Sequence, residues 1–171
     1  MDKFLFVEGT HDEIFVKKMC EKLQVKSEIT IVKYSQMEDK KVNNYMESLL
    51  AQKIQFLFVA DSDIYQYNSV NDRINELQRR YNYLVPSNLV LAVPEIEGWY
   101  IAGLDGQSAN KLKLRKQPVP DKCTKEKFES ILPSRKDNTI IRNQILDLYD
   151  IKLAQTRSSS FKEFITIIES W

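Results

Sequence analysis

The stretch Ile54 to Ala60 is almost wholly apolar and stops at once on Asp61-Ser62-Asp63. A short apolar run with an abrupt polar end suits a strand covered on both faces, as in a parallel sheet. Three more segments share this character. Lys3 to Val7 is apolar and ends at Glu8-Gly9, and Leu89 to Val93 is broken by Pro94. Glu28 to Tyr34 carries Ile29, Thr30, Ile31 and Val32, whose β-branched side chains favour a pleated strand.

Helical spacing fills the gaps between these runs. Thr10-His-Asp-Glu13 reads as a capping box ahead of a stripe of Ile14, Phe15, Met19 and Leu23. Val42, Tyr45, Met46, Leu49 and Leu50 predict the buried face of a second helix, and Val70, Ile74, Leu77, Tyr81 and Leu84 that of a third. Trp99, Tyr100 and Ile101 fall in a fourth, where Trp99 reads as a core anchor. Strands alternating with helices imply βαβ units, so the expected fold is α/β with a mainly parallel four-stranded sheet flanked by helices.

At 171 residues the chain is expected to form one domain. Its core would span about 1–104. Residues 105–122, with Gly106, Pro118 and Pro120 and no periodicity, read as a basic loop or insertion. Residues 123–171 predict a helical tail around Phe128 to Leu132, Ile140 to Tyr149 and Phe161 to Trp171, with Ser160-Phe-Lys-Glu163 as a second capping box.

Several function classes drop out on composition. Cys20 and Cys123 lie far apart and His11 is the one histidine, which excludes a zinc knuckle and argues against a disulfide framework. His11 itself reads as locally bonded rather than as a ligand. A net charge of +1 argues against a surface built wholly to coat nucleic acid. No basic-then-apolar leader and no 18-residue apolar run is present, so a cytoplasmic location is expected.

Three of the predicted strands end in acids: Glu8, then Asp61 and Asp63, then Glu95 and Glu97. Asp12 follows Glu8 by one helical turn. Open parallel sheets bind ligands outside the carboxyl ends of their strands, where these acids would converge. Carboxylates that crowd together raise one another's pKa, and a hard cation relieves the repulsion. Oxygen-only ligands favour Mg²⁺ or Mn²⁺, and several carboxylates could hold two ions about 3.5–4 Å apart for phosphodiester cleavage. A single acid after a strand is more often a helix cap or a solvated residue. Asp63 alone fits that plain reading, Asp61 fits it least, and the coincidence at three strand ends favours a site.

In this arrangement Phe6-Val-Glu8-Gly9-Thr-His-Asp12 and Phe58-Val-Ala-Asp61-Ser-Asp63 resemble the two motifs of the TOPRIM domain. Val93-Pro-Glu-Ile-Glu97-Gly-Trp99 is similar to the third motif of small TOPRIM-like proteins related to the overcoming-lysogenization-defect nucleases, and Ser158-Ser-Ser-Phe161-Lys-Glu-Phe164 to a Ser-rich segment near their end. The resemblance runs from residue 4 to about 165. It implies a Mg²⁺- or Mn²⁺-dependent nuclease acting on nucleic acid, DNA ahead of RNA, with RNA left open. Glu8 would be general base or metal ligand, Asp61 and Asp63 catalytic metal ligands, Asp12 and Glu97 further ligands, and Glu95 a supporting acid. A later lysine, among Lys122, Lys125, Lys136 and Lys152, would stabilise the transition state. Those nucleases carry an ATPase domain that is not found in these 171 residues, so a separate ATPase or defence protein is an expected partner.

The segment Lys111 to Lys127 holds seven basic residues, of which Lys111, Lys113, Arg115 and Lys116 are candidates for a phosphate backbone. The plain reading is a solvated loop. Two other readings of the whole chain compete with a nuclease. One is a TOPRIM-like interaction module without catalysis. The other is a receiver-like phospho-acceptor, which the Glu-Gly motif and the helical tail fit poorly.

Overall fold

The computed structural model describes residues 2–133 and 138–171. Its single sheet holds four parallel strands in the order β2-β1-β3-β4: β1 (Lys3–Val7), β2 (Ile29–Lys33), β3 (Phe56–Asp61) and β4 (Leu89–Ala92). Alternate side chains feed two cores. Leu5, Val7, Leu57, Val59 and Val90 face one side, and Phe6, Phe56, Phe58, Leu89 and Leu91 face the other. Burial on both faces is why these strands read as unbroken apolar runs.

The helix after β1, α1 (Thr10–Lys22), packs Phe15, Val16 and Met19 into the first core. Helix α2 (Asp39–Ala51) and the helix after β3, α3 (Val70–Arg80), pack on the second face through Val42, Met46, Leu49 and Leu77. Adjacent strands β1 and β3 thus send their following helices to opposite faces. That opens a crevice outside their carboxyl ends, the switch point of a doubly wound sheet.

The remaining helices close the first core. They are α4 (Ile96–Ala102), α5 (Gly106–Lys111), α6 (Lys125–Ile131), α7 (Asn138–Asp147), α8 (Ile151–Arg157) and α9 (Ser159–Glu169). Trp99 is fully buried, stacked 5.1 Å from Phe164. Gly98 lets α4 approach the 120–122 turn, since a Cβ there would meet Pro120 O at 2.5 Å.

Several expectations shift. The cap of α1 lies one residue earlier than the Thr10 box implies: Gly9 is the N-cap, and Asp12 Oδ2 accepts from Gly9 N at 3.0 Å. The N-cap of α9 is Ser158, whose hydroxyl accepts from Phe161 N. Ser160 is instead buried and accepts from Trp99 Nε1 at 2.9 Å. Tyr45 and Leu50 lie at the exposed margin of α2, 37% and 47% accessible, because the buried arc is narrower than their spacing suggests. Residues 105–122 are not all loop, for Asp105 caps α5 by accepting from Ser108 N. Helix α8, capped by Asp150, has too few apolar positions to signal itself.

Candidate functional site

The crevice at the switch point is an open cleft of about 280 Å³, lined by acids from all three strand ends. Glu8 follows β1, Asp61 ends β3 with Asp63 two residues on, and Glu95 and Glu97 follow β4. Asp12 enters from the first turn of α1 and Lys125 from that of α6. Every acid expected at the site reaches the cleft.

Local structure aims each one. Asp61 Oδ1 accepts from Ile96 N at 2.8 Å, which ties β3 to the start of α4. Ser62, wholly buried, donates its N–H to Ala92 O and its hydroxyl to Pro94 O. This clamp turns the chain so that Asp63 adopts a left-handed φ of 48°, a conformation Asp tolerates better than most residues with a Cβ. Glu95 Oε2 accepts from Lys125 N at 2.6 Å.

Two arginines complete the site. Arg73 on α3 donates through Nε to Asp61 O at 3.1 Å and pairs with Asp63 at 3.1 Å. Its Nη1 also reaches Tyr67 and Glu76. Arg142 on α7 is fully buried and pairs with Glu97 at 2.8 Å. Its guanidinium lies between two rings, 4.8 Å from Tyr100 and 4.4 Å from Phe128, while its Nε and Nη1 lack hydrogen-bond partners among the described residues. Sequence reasoning missed both. The available signal was a charged residue inside an apolar stripe: Arg73 between Val70 and Leu77, Arg142 ahead of Ile145 and Leu146.

Electrostatics divide the acids. Burial, opposed by the Gly9 N–H and reinforced by Glu8, pushes Asp12 up to about 7. Burial and the charges of Asp12 and Glu8 raise Asp61 well above the carboxylate range. Burial and Asp63 raise Glu8, with Arg73 opposing. Asp63 is raised by burial and held back by Arg73. Burial also raises Tyr34, reinforced by Glu8, Asp61 and Asp12. Its buried hydroxyl lies close enough to Glu8 to oppose the rise of that carboxylate. His11 is half-buried at the rim, lowered by burial and by Arg142.

Glu8, Asp12 and Asp61 therefore crowd one another with no opposite charge paired to them among the described residues. Carboxylates crowded in this way raise one another's proton affinity. Among the described residues, however, no three His, Cys, Asp or Glu side chains stand close enough to hold a metal ion. Backbone donors instead engage Asp12, Asp61 and Glu95, and arginines engage Asp63 and Glu97.

The basic candidates lie elsewhere. Arg115 and Lys116 line a separate cleft of about 340 Å³ with Arg157, while Lys111 ends α5 and Lys113 follows it. None of the four lines the acidic cleft. Of the candidate lysines, Lys125 lines that cleft, Lys122 and Lys152 do not, and Lys136 lies outside the described residues. No helix among the described residues is long and apolar enough to cross a membrane.

Fold and cleft together define a doubly wound α/β domain with an acidic switch-point site. The chain belongs to the family described as Protein of unknown function (DUF3226), whose family model matches residues 2–137. No curated protein and no solved structure matches it.

Proposed function

We propose that this protein is a Mg²⁺- or Mn²⁺-dependent nuclease of TOPRIM type, cytoplasmic, hydrolysing phosphodiester bonds in DNA more readily than in RNA. The observation that carries this reading is the mutual crowding of Glu8, Asp12 and Asp61 at the switch point. These three would hold the ion, with Asp63 at the rim. A bound divalent ion supplies positive charge to the phosphate and makes water more acidic. Glu8, whose burial raises its proton affinity, would accept a proton from attacking water. Lys125 offers a positive charge at the mouth of the cleft, while Arg115, Lys116 and Arg157 line a separate basic cleft that would have to meet the backbone at a distance from the reacting bond.

Incubation of supercoiled plasmid with Mn²⁺ tests the reading. Nicking by the wild type, lost in Glu8→Gln and Asp61→Asn proteins that melt normally, is the expected result. A second reading, an interaction module serving a separate ATPase or defence protein, is favoured by the fact that backbone donors and arginines already engage most of the acids. Cation-dependent stabilisation without nicking, even with such a partner added, would select it.

A further inference from the structure

A second cleft carries the opposite sign. Its volume is about 340 Å³, and it is lined by α5, the segment after it and the last residue of α8. Leu104, Ala109 and Leu114 give it apolar surface, while Arg115, Lys116 and Arg157 supply three cations. Among the described residues no acid lines it, and none of the three cations has a carboxylate within ion-pair distance. Asp105, whose charge reaches Arg157, is committed to the α5 cap through Ser108 N at 2.7 Å. Like charges gathered without counter-ions repel one another, so the fold gains nothing from placing them together.

A run of lysines and arginines is ordinarily a solvated face whose side chains turn freely. Two features set this cleft apart. Its backbone is pinned, for Leu114 N donates to Ala109 O at 3.0 Å and Arg115 N to Ile131 O at 2.9 Å. Both guanidiniums are also anchored on carbonyls. Arg157 Nη1 donates to Leu104 O at 2.6 Å, and Arg115 Nη1 to Ser130 O at 3.3 Å. A guanidinium presents its N–H donors in a rigid fork, so one such bond orients it and leaves its charge and its other donors unengaged. A carboxylate would match one fork. A phosphate, with oxygens directed several ways, can take two forks and an ammonium together.

We propose that Arg115, Arg157 and Lys116 form a phosphate-binding cleft separate from the acidic site, its ligand the phosphate of a polynucleotide backbone or of a small free phosphate compound. This goes beyond the nuclease reading, since it holds whether or not the acidic cleft cleaves.

The test uses the full chain in chelator, so that metal-dependent chemistry plays no part. Binding of a fluorescein-labelled oligodeoxynucleotide is followed by anisotropy, and binding of pyrophosphate by calorimetry. The wild type is expected to bind at least one of them, and Arg115→Gln with Arg157→Gln to weaken that binding at least about tenfold. Lys40→Gln with Lys41→Gln removes equal charge from α2 and should leave it within about twofold. Pyrophosphate binding alone selects a small phosphate ligand, and oligonucleotide binding selects a backbone. Should the paired glutamines not fold, Arg115→Lys with Arg157→Lys keeps the charge, loses the fork and is expected to weaken binding about threefold or more. Neither probe bound by the wild type, equal losses in the cleft and α2 variants, or wild-type binding by the paired lysines would overturn the proposal. Nicking is not read, so the nuclease reading stands or falls separately.

Discussion

The two flanks of the acidic cleft solve one problem in different ways. On the α3 flank, Arg73 reaches the rim, spends its donors on Asp61 O, Asp63, Tyr67 and Glu76, and keeps some contact with water. On the α7 flank, Arg142 is sealed in the larger core, held by the Glu97 carboxylate and by two aromatic faces. The first arrangement can relax when a neighbour is lost. The second cannot, because a buried charge without its partner has no solvent to turn to.

That contrast predicts unequal costs. Arg142→Met alone should destabilise the fold by about 3–5 kcal/mol, and adding Glu97→Leu should restore most of it. Urea denaturation checks both, and a double variant no more stable than the single would break the comparison. Between the flanks, the acids without a paired charge should make stability depend on pH. Folding raises Asp12 from its ordinary 3.8 to about 7, so the folded state binds the proton more tightly. Its contribution is complete below about pH 4 and is lost as pH rises through about 7, each tenfold gain in proton affinity being worth about 1.4 kcal/mol. In chelator the melting temperature should fall from pH 5 to 8, and Mn²⁺ should restore it at pH 8. A flat or rising profile would contradict this.

Smaller effects sharpen the contrast. Arg73→Ala should cost about 1–3 kcal/mol in denaturant, less than Arg142→Met, since Asp63 can turn to water. An exposed pair provides the floor. Arg80 and Asp39 lie 2.8 Å apart, each close to half accessible, and Asp39→Ala should cost less than about 1 kcal/mol.

How much of this is legible in the sequence follows from where the signals are local. The four strands can be read because each is buried on both faces, which leaves an apolar run bounded by charge. The strand-end acids are legible for the same reason, as the first residues after each run. Arg73 and Arg142 are not, because a lone arginine in an apolar stripe can equally snorkel to the surface, and only tertiary packing brings it under a carboxylate. Cap positions slip where two candidates adjoin, as with Ser158 and Ser160, since local spacing cannot show that Trp99 claims one of them. The basic segment is legible as charge but not as place, and it lies on a cleft of its own rather than beside the acids.

The most direct measurement is anomalous scattering from a crystal of the full chain grown or soaked with Mn²⁺. The proposed metal-dependent reading predicts a peak in the cleft, about 2.1 Å from oxygens of Glu8, Asp12 and Asp61. Saturating Mn²⁺ that leaves these three carboxylates bare would contradict it.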